Sequence, residues 1–218
     1  MAIPRGRIVA EYASHMRATL RAVGETSITA GLILMLFCAY LLWGTGAYTQ
    51  SQQALLQREL AAKERGRLDR IELGTALALL RIPRLGRDYR YAVVEGVGAE
   101  HLKKGPGHYP DSAMPGQIGN FVLSGHRTTY AAPFNEIDKL ERDDEIIVEA
   151  REARYTYRVT SQDIVRPDEI EVLAPVPGKP DIRPLRAFIT LSTCHPEYSA
   201  AERLIVYGVL KKSEPRKE

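Results

Sequence analysis

Residues 186–210, RAFITLSTCHPEYSAAERLIVYGVL, contain two apolar runs separated by a short polar loop that includes a proline. Each run has the length and the β-branched and aromatic content of a buried strand. Cys194 ends the first run and Arg203 stands just before the second. This stretch predicts two core strands with a thiol and a guanidinium at their connected ends.

Five further runs of the same kind lie between residue 73 and this pair, separated by turn residues. Seven short strands with few helices predict a mostly β, closed or nearly closed barrel, large enough to bury its own core. Between Gly96 and Gly119 the chain is rich in Gly and Pro, which favours no regular element. The segment Pro133–Leu140 predicts one helical turn or a short helix. The five runs are Ala76–Ile82, Tyr89–Glu95, Asn120–Gly125, Asp144–Ala150 and Tyr155–Val165.

A charge-free stretch from Thr26 to Gln57 precedes the barrel. Within it, Ile28–Tyr48 would span about 32 Å as a helix, enough to cross a bilayer core. A buried core helix and a cleaved signal peptide are the alternatives, and the long leader before the run favours an uncleaved anchor. Arginines flank the run on both sides, so the positive charges do not decide its orientation. Residues 50–70 predict a juxtamembrane helix.

Composition excludes several classes of protein. The 218 residues carry 30 Lys+Arg and 27 Asp+Glu, a net charge of +3 that is too small for a dedicated nucleic-acid binder. A hydrophobic content of 44% excludes general disorder. Two cysteines exclude both a disulfide scaffold and a four-thiolate zinc site. No cofactor is expected, and the spacing of the histidines gives little support for a metal site.

The residues with chemical potential are few. A cysteine at a strand end is usually a small buried hydrophobe, but it is a nucleophile where an activating partner exists. His126 follows the apolar strand FVLSG, whereas His195 adjoins Cys194 and should point to the opposite face. Arg203 could lie at a barrel rim or hold a developing oxyanion. An acidic cluster could bind calcium but fits a solvated turn better; it comprises Glu141, Asp143, Asp144 and Glu145.

Three motifs together resemble the sortase family: LSGHR (Leu123–Arg127), TLSTC (Thr190–Cys194) and the arginine of AERLIVYG. The resemblance covers residues 73–212. It implies an eight-stranded sortase-type β-barrel with short helices behind a single N-terminal transmembrane helix. It also implies a membrane-anchored cysteine transpeptidase with Cys194 as nucleophile, His126 as general acid and Arg203 as the substrate and oxyanion stabiliser.

Further motifs resemble the class E housekeeping sortases of high-GC Gram-positive bacteria. This resemblance implies that Tyr109 and Thr193 contact the substrate. It implies cleavage of a C-terminal LAxTG- or LPxTG-like sorting signal between Thr and Gly, and transfer of the thioacyl-bound protein to a peptidoglycan-precursor amine. The motifs are GPGHYP (Gly105–Pro110), PGQIGN (Pro115–Asn120), HRTTYAAPF (His126–Phe134) and HPEYSAAE (His195–Glu202).

Three alternatives stay open: a tethered cysteine endopeptidase with the same residues, a pilin-polymerising sortase, and a catalytically inactive barrel that serves as a binding module. The domain organisation follows from the resemblance. We expect a cytoplasmic arm over 1–27, an anchor over 28–48, a helical stalk over 49–72, an extracellular catalytic barrel over 73–212 and a flexible tail over 213–218. Expected partners are proteins with a sorting signal, the acceptor amine and membrane lipid, but not nucleic acid.

Overall fold

Residues 5–63 and 72–216 are described by the structure, a computed structural model of the chain. The contacts divide the chain into two units, Met1–Gly44 and Thr45–Glu218. Each unit has its own organisation, and the second contains the barrel. The predicted tail residues 217 and 218 and the predicted stalk residues 64–71 lie outside the described parts.

The first unit is helical. Helix α1 spans Arg5–Ala39 and continues into a π-helical turn over Tyr40–Gly44. Among the described residues one helical segment, His15–Ala39, is long and apolar enough to cross a membrane, with a mean hydropathy of 1.7. Its apolar side chains are exposed, as expected for a helix that faces lipid rather than a protein core.

The apolar segment ends at Ala39, before the predicted end of the anchor at Tyr48. A second helix, α2, spans Thr45–Lys63 and belongs to the barrel unit. The side chains of Thr45 and Thr49 are buried there. The predicted end of the anchor therefore falls within helix α2.

Eight strands within residues 72–216 form a closed barrel in the order β1-β2-β3-β4-β7-β8-β6-β5. The β2–β3 and β4–β7 pairs are parallel, and all other neighbours are antiparallel. A short helix, α3, spans Ala99–Leu102. The strands are β1 Ala76–Arg81, β2 Arg90–Glu95, β3 Gly107–His108, β4 Gly119–Ser124, β5 Glu145–Glu149, β6 Ala153–Val165, β7 Ala187–His195 and β8 Glu202–Pro215.

Alternation along the strands builds the barrel interior, as the sequence predicted. In β4 and β7 the inward positions include Phe121, Leu123, Ile189 and Leu191, all essentially without solvent exposure. Residues between them face the outside of the barrel, since successive strand residues point to opposite faces. This parity decides which side of the sheet each candidate site residue occupies.

Helix α2 packs on the outside of β1 and β2. Leu56 is buried against Ala76, Ala92 and Val94. The side-chain amide of Gln53 donates to the carbonyl of Ala92 at 3.0 Å and accepts from its N–H at 2.7 Å, as a neighbouring strand would. The helix is therefore an integral element of the barrel unit, packed more closely on the barrel than the word stalk implies.

The GPGHYP motif has a structural explanation. A Cβ at Gly105 would lie 2.2 Å from Nε2 of Gln53, so only glycine leaves room for the α2 contact. His108 is fully buried, with Nδ1 2.8 Å from a carboxylate oxygen of Glu95 and Nε2 2.9 Å from the hydroxyl of Ser112. These contacts give this histidine a structural role.

Two predictions of local structure need correction. The Gly- and Pro-rich segment contains strand β3, which is too short to show a period in the sequence. The segment Pro133–Leu140 agrees with its prediction, because it contains a single 3-10 turn, Ile137–Lys139. Residues 213–215, predicted as a flexible tail, extend β8, because β6 begins at Ala153 and supplies partners up to Pro215.

Candidate active site

The pairing of β7 with β8 sets Cys194 directly opposite Arg203. Residues opposite each other in an antiparallel pair have side chains on the same face, with Cβ atoms about 5 Å apart. Cys194 shares its face with Ser192, two residues before it, and this face is opposite to that of the core residue Leu191. The half-exposed thiol therefore belongs to the outer face of the sheet, at the end of its strand.

Strand β4 delivers His126 to the same end of the sheet. It runs parallel to β7 with Ser124 opposite Ser192. Beyond the last paired residues, the N–H of Gly125 donates to the carbonyl of Ser192 at 3.1 Å, and the hydroxyl of Thr193 donates to the carbonyl of Gly125 at 2.8 Å. These bonds hold the backbone next to His126 against the backbone next to Cys194.

Thr193 has a structural role in addition to its predicted contact with substrate. Its side chain is 2% exposed and is hydrogen-bonded within the protein. In this structure the hydroxyl fastens the His-bearing turn to β7. A direct contact with substrate stays a prediction.

The guanidinium of Arg203 has part of its hydrogen-bonding capacity free. Its Nη1 donates to the carbonyls of Ala200 at 3.1 Å and Glu202 at 2.9 Å, in the loop between β7 and β8. Within residues 5–63 and 72–216, Nε and Nη2 make no hydrogen bond. These donors suit a carboxylate, a carbonyl or a developing oxyanion, since the guanidinium is charged at any working pH.

Arg127 contributes to the site in a way that sequence reasoning missed. Its side chain is 6% exposed, and Nη1 donates to the carbonyl of Cys194 at 3.3 Å and lies 3.0 Å from Nδ1 of His195. Nη2 is 3.4 Å from Asp138. The residue after His126 therefore binds the backbone of Cys194. Its place in the LSGHR motif was the available signal, but an arginine after a strand normally indicates solvent.

The imidazole of His126 is half-buried beside Tyr130. The two rings are 5.0 Å apart between centroids and inclined by 36°. Burial lowers the pKa of His126 below the ordinary 6.5, because removal from water disfavours the charged imidazolium. Gly125 before it must be a glycine, since a Cβ there would lie 2.7 Å from the ring of Phe134.

Tyr109 stands one strand away from His126. It follows β3, is half-buried, and its N–H donates to the carbonyl of Val122 in β4 at 3.1 Å. The candidate residues thus lie on four consecutive strands, β3, β4, β7 and β8. The structure brings Cys194 and Arg203 together by register, with His126 at the adjoining strand end and Tyr109 farther along the sheet.

The connection between β6 and β7 covers part of the same outer face. Its 3-10 turn, Ile170–Leu173, packs Val172 against Ile205 of β8. Buried Asn120 donates to the carbonyls of Val172 at 3.1 Å and Ala174 at 3.0 Å, and accepts from the hydroxyl of Thr190 at 2.8 Å. This explains the final asparagine of the PGQIGN motif, to which the sequence assigned no individual role.

The acidic cluster predicted either to bind calcium or to form a solvated turn is occupied by arginines. Arg84 is 2.5 Å from Glu141 and 3.8 Å from Asp144, and Arg158 is 2.7 Å from Glu145. Among the residues with described positions, no group of three or more His, Cys, Asp or Glu side chains could hold a metal ion. The ion pairs support the interpretation as a turn.

Comparison with known proteins identifies the barrel. The family model for the sortase domain matches residues 80–211. Sortase E1 of Streptomyces coelicolor is 38% identical over 208 residues, which are 90% of this chain but only 58% of that protein. Its crystal structure with a tripeptide in the active site superposes with a TM-score of 0.60, covering 66% of this chain and 92% of that one.

A second solved structure of a sortase is also similar to this chain. SrtF sortase of Corynebacterium diphtheriae is 31% identical, with a TM-score of 0.67 over 70% of this chain and 92% of that chain. Sequence and fold agree. The chain belongs to the sortase family of cysteine transpeptidases.

Proposed function

We propose that this sortase cleaves a C-terminal sorting signal of the LAxTG or LPxTG type between Thr and Gly and joins the protein to a cell-wall amine. The observation that carries the proposal is the register pair of Cys194 and Arg203 at the strand end where β4 delivers His126. The tripeptide in the active site of the related sortase E1 supports a peptide substrate.

In this proposal the three residues act in two steps, acylation of the enzyme and transfer of the acyl group to an amine. The thiolate of Cys194 attacks the threonine carbonyl carbon, and Arg203 stabilises the oxyanion that forms. The C–N bond to glycine then breaks, and the departing amine takes its proton from the imidazolium of His126. An acceptor amine next attacks the thioester, transfers a proton to His126 and expels the thiolate, so the enzyme returns to its initial state.

The N-terminal helix supports a location at the cell membrane. We infer that residues before the span lie in the cytoplasm, that His15–Ala39 anchors the chain in lipid, and that the barrel with α2 is extracellular, where sorting substrates and cell-wall precursors are found. The positive charges leave the orientation open. Labelling of single-cysteine variants with a membrane-impermeant thiol reagent on intact cells would test it.

The activity assay uses the full chain in detergent micelles with a fluorescent sorting peptide, with and without an amine acceptor such as triglycine. The proposal predicts that the amine diverts the product from the hydrolysed peptide to the ligated peptide and accelerates turnover. Cleavage at the Thr–Gly bond with no ligated product at any amine concentration would instead favour an endopeptidase. No cleavage of either peptide type would contradict the proposal.

The connection between β6 and β7 is proposed as a wall of the substrate groove, and Asn120 gives a test of it. Asn120→Ala removes the two donors that hold the carbonyls of Val172 and Ala174. Because the wall then opens more often, we expect KM for the peptide to rise about tenfold. This rise corresponds to a loss of about 1.4 kcal/mol of binding free energy, which is within the range for two hydrogen bonds.

Steady-state kinetics measure this effect. Gln117→Ala is the matched control, since Gln117 is an exposed amide in the preceding loop whose side-chain oxygen accepts from the N–H of Met114 in the same loop. We expect the control to leave KM unchanged. An unchanged KM in Asn120→Ala would show that this connection does not bind the peptide.

A further inference from the structure

The backbone after His126 adopts a conformation that needs external support. Tyr130, Ala131 and Ala132 have φ angles of 52°, 59° and 43°. The left-handed region is unfavourable for residues with a Cβ, and each such residue costs about 1 kcal/mol or more. Three in succession persist only where surrounding contacts hold them.

Two tyrosines of the β2 region supply such contacts. The hydroxyl of Tyr89 donates to the carbonyl of Pro133 at 2.6 Å, and that of Tyr91 donates to the carbonyl of Ala131 at 3.2 Å. Their rings pack edge to face, 5.2 Å apart. Burial, and then the neighbouring Tyr91, raises the pKa of Tyr89 well above 10.0, so its hydroxyl stays a donor.

Helix α2 supplies another contact. The N–H of Tyr130 points to the hydroxyl of Thr45 at 3.4 Å, at the beginning of the helix. Thr49, one turn later, donates to the carbonyl of Lys103 at 2.7 Å. The segment that carries Tyr130 is thus held from the sheet on one side and from the helix that follows the anchor on the other.

The imidazole of His126 depends on this segment for its orientation. A histidine that transfers protons is commonly oriented by a hydrogen bond to one ring nitrogen. In the described parts of the chain no group makes a hydrogen bond to the His126 ring. The contact that is present is the ring of Tyr130, at 5.0 Å and 36°, a geometry typical of attractive aromatic pairs.

We propose that Tyr130 is the positioning residue of His126: its ring fixes the plane of the imidazole, and its left-handed backbone, held by α2 and by Tyr89 and Tyr91, fixes the ring. This inference rests on the proposed function, in which His126 protonates the departing amine. It assigns the work to the aromatic ring and not to the phenol, because no hydrogen bond of the Tyr130 hydroxyl exists among the described residues.

The test compares Tyr130→Ala, Tyr130→Leu and Tyr130→Phe in the full chain. Misplacement of a proton donor by about 1 Å lowers turnover about 100-fold. We therefore expect kcat for the amide peptide to fall about 10- to 100-fold in Tyr130→Ala and Tyr130→Leu, with KM unchanged. Tyr130→Phe retains the ring, so its kcat should stay within about threefold of the wild type.

A second substrate separates positioning from a general loss of structure. In a thioester analogue of the peptide the leaving thiolate needs no proton, so the general acid is not required. We expect Tyr130→Leu, which fills the space of the ring, to be acylated by this analogue within about threefold of the wild-type rate, measured in a single turnover as release of the leaving thiol. Equal losses on amide and thioester would overturn the inference, because the residue would then act on the fold and not on the proton donor.

The outcomes also separate this inference from the function beneath it. If the wild type does not cleave the sorting peptide, the proposed function fails. If the wild type cleaves it and Tyr130→Leu keeps the wild-type kcat on the amide, the function stands and the positioning role is contradicted. The expected result is a loss on the amide alone, restored by phenylalanine.

Discussion

Cys194→Ala removes all cleavage of the sorting peptide down to the uncatalysed background, a loss in kcat/KM of about 10⁴-fold or more. The reason is that the thioacyl intermediate needs a nucleophile, and no other group in the mechanism can form it. The fold should be preserved, since the thiol is half-exposed at the end of β7 and its removal leaves no core cavity. Peptide binding should therefore persist in the inactive variant.

The chain offers a matched control for this prediction. Cys38 is the other cysteine and lies on the exposed surface of α1. Cys38→Ala should keep the wild-type kcat/KM, and alkylation of that variant should still abolish activity. Cleavage that survives in Cys194→Ala and disappears in Cys38→Ala would refute the assignment of the nucleophile.

His126→Gln should lower kcat for the amide peptide by about 10²- to 10⁴-fold, the usual contribution of a general acid. Glutamine keeps a polar side chain of similar reach but cannot deliver a proton to the leaving amine. Acylation by the thioester analogue, whose leaving thiolate needs no proton, should slow much less when it is measured in a single turnover. Equal losses on both substrates would contradict a role in protonation.

The same histidine gives the enzyme a bell-shaped pH profile. Acylation needs a thiolate together with an imidazolium, and with ordinary values of about 8.5 and 6.5 the two coexist in about 1% of molecules near neutrality. In this reverse-protonated arrangement the acid limb of kcat/KM follows the group with the lower pKa, the imidazole. Burial lowers the pKa of His126 below 6.5.

The lowered pKa of His126 sets the direction in which the pH profile moves. A lower imidazole pKa moves the midpoint of the acid limb below about pH 6.5, and it also reduces the fraction of enzyme in the active form. Measurement of kcat/KM from about pH 5 to pH 9.5 checks both limbs. An acid limb centred above about pH 6.5 would mean that substrate or the thiolate reverses the effect of burial.

The barrel could be predicted from the sequence because its core strands are clear in the chain. Runs such as those ending at Gly125 and Cys194 are continuous enough in apolar residues, and bounded clearly enough by turns, to be recognised without a structure. The two-residue strand β3 and the extension of β8 over residues 213–215 were missed. Their pairing depends on neighbouring strands and leaves no period in the chain.

The sequence predicts the reacting groups of the candidate site but not the contacts that support them. Cys194, His126 and Arg203 stand in motifs whose chemistry can be read residue by residue. Arg127 and Gln53 each contact a residue that is distant in sequence. Tyr130 and His126 are close in sequence, but their rings face each other only in the folded chain. Single-residue propensities carry no information about such contacts.

The most direct test of the account is intact-protein and peptide mass spectrometry after the full chain is mixed with LAxTG and LPxTG peptides without an acceptor amine. The account predicts a mass increase equal to the peptide portion that ends at threonine, carried by Cys194 and released when an amine is added. It predicts no increase in Cys194→Ala. Peptide cleavage without any adduct under rapid acid quenching, or an adduct on another residue, would contradict a thioacyl mechanism at this strand end.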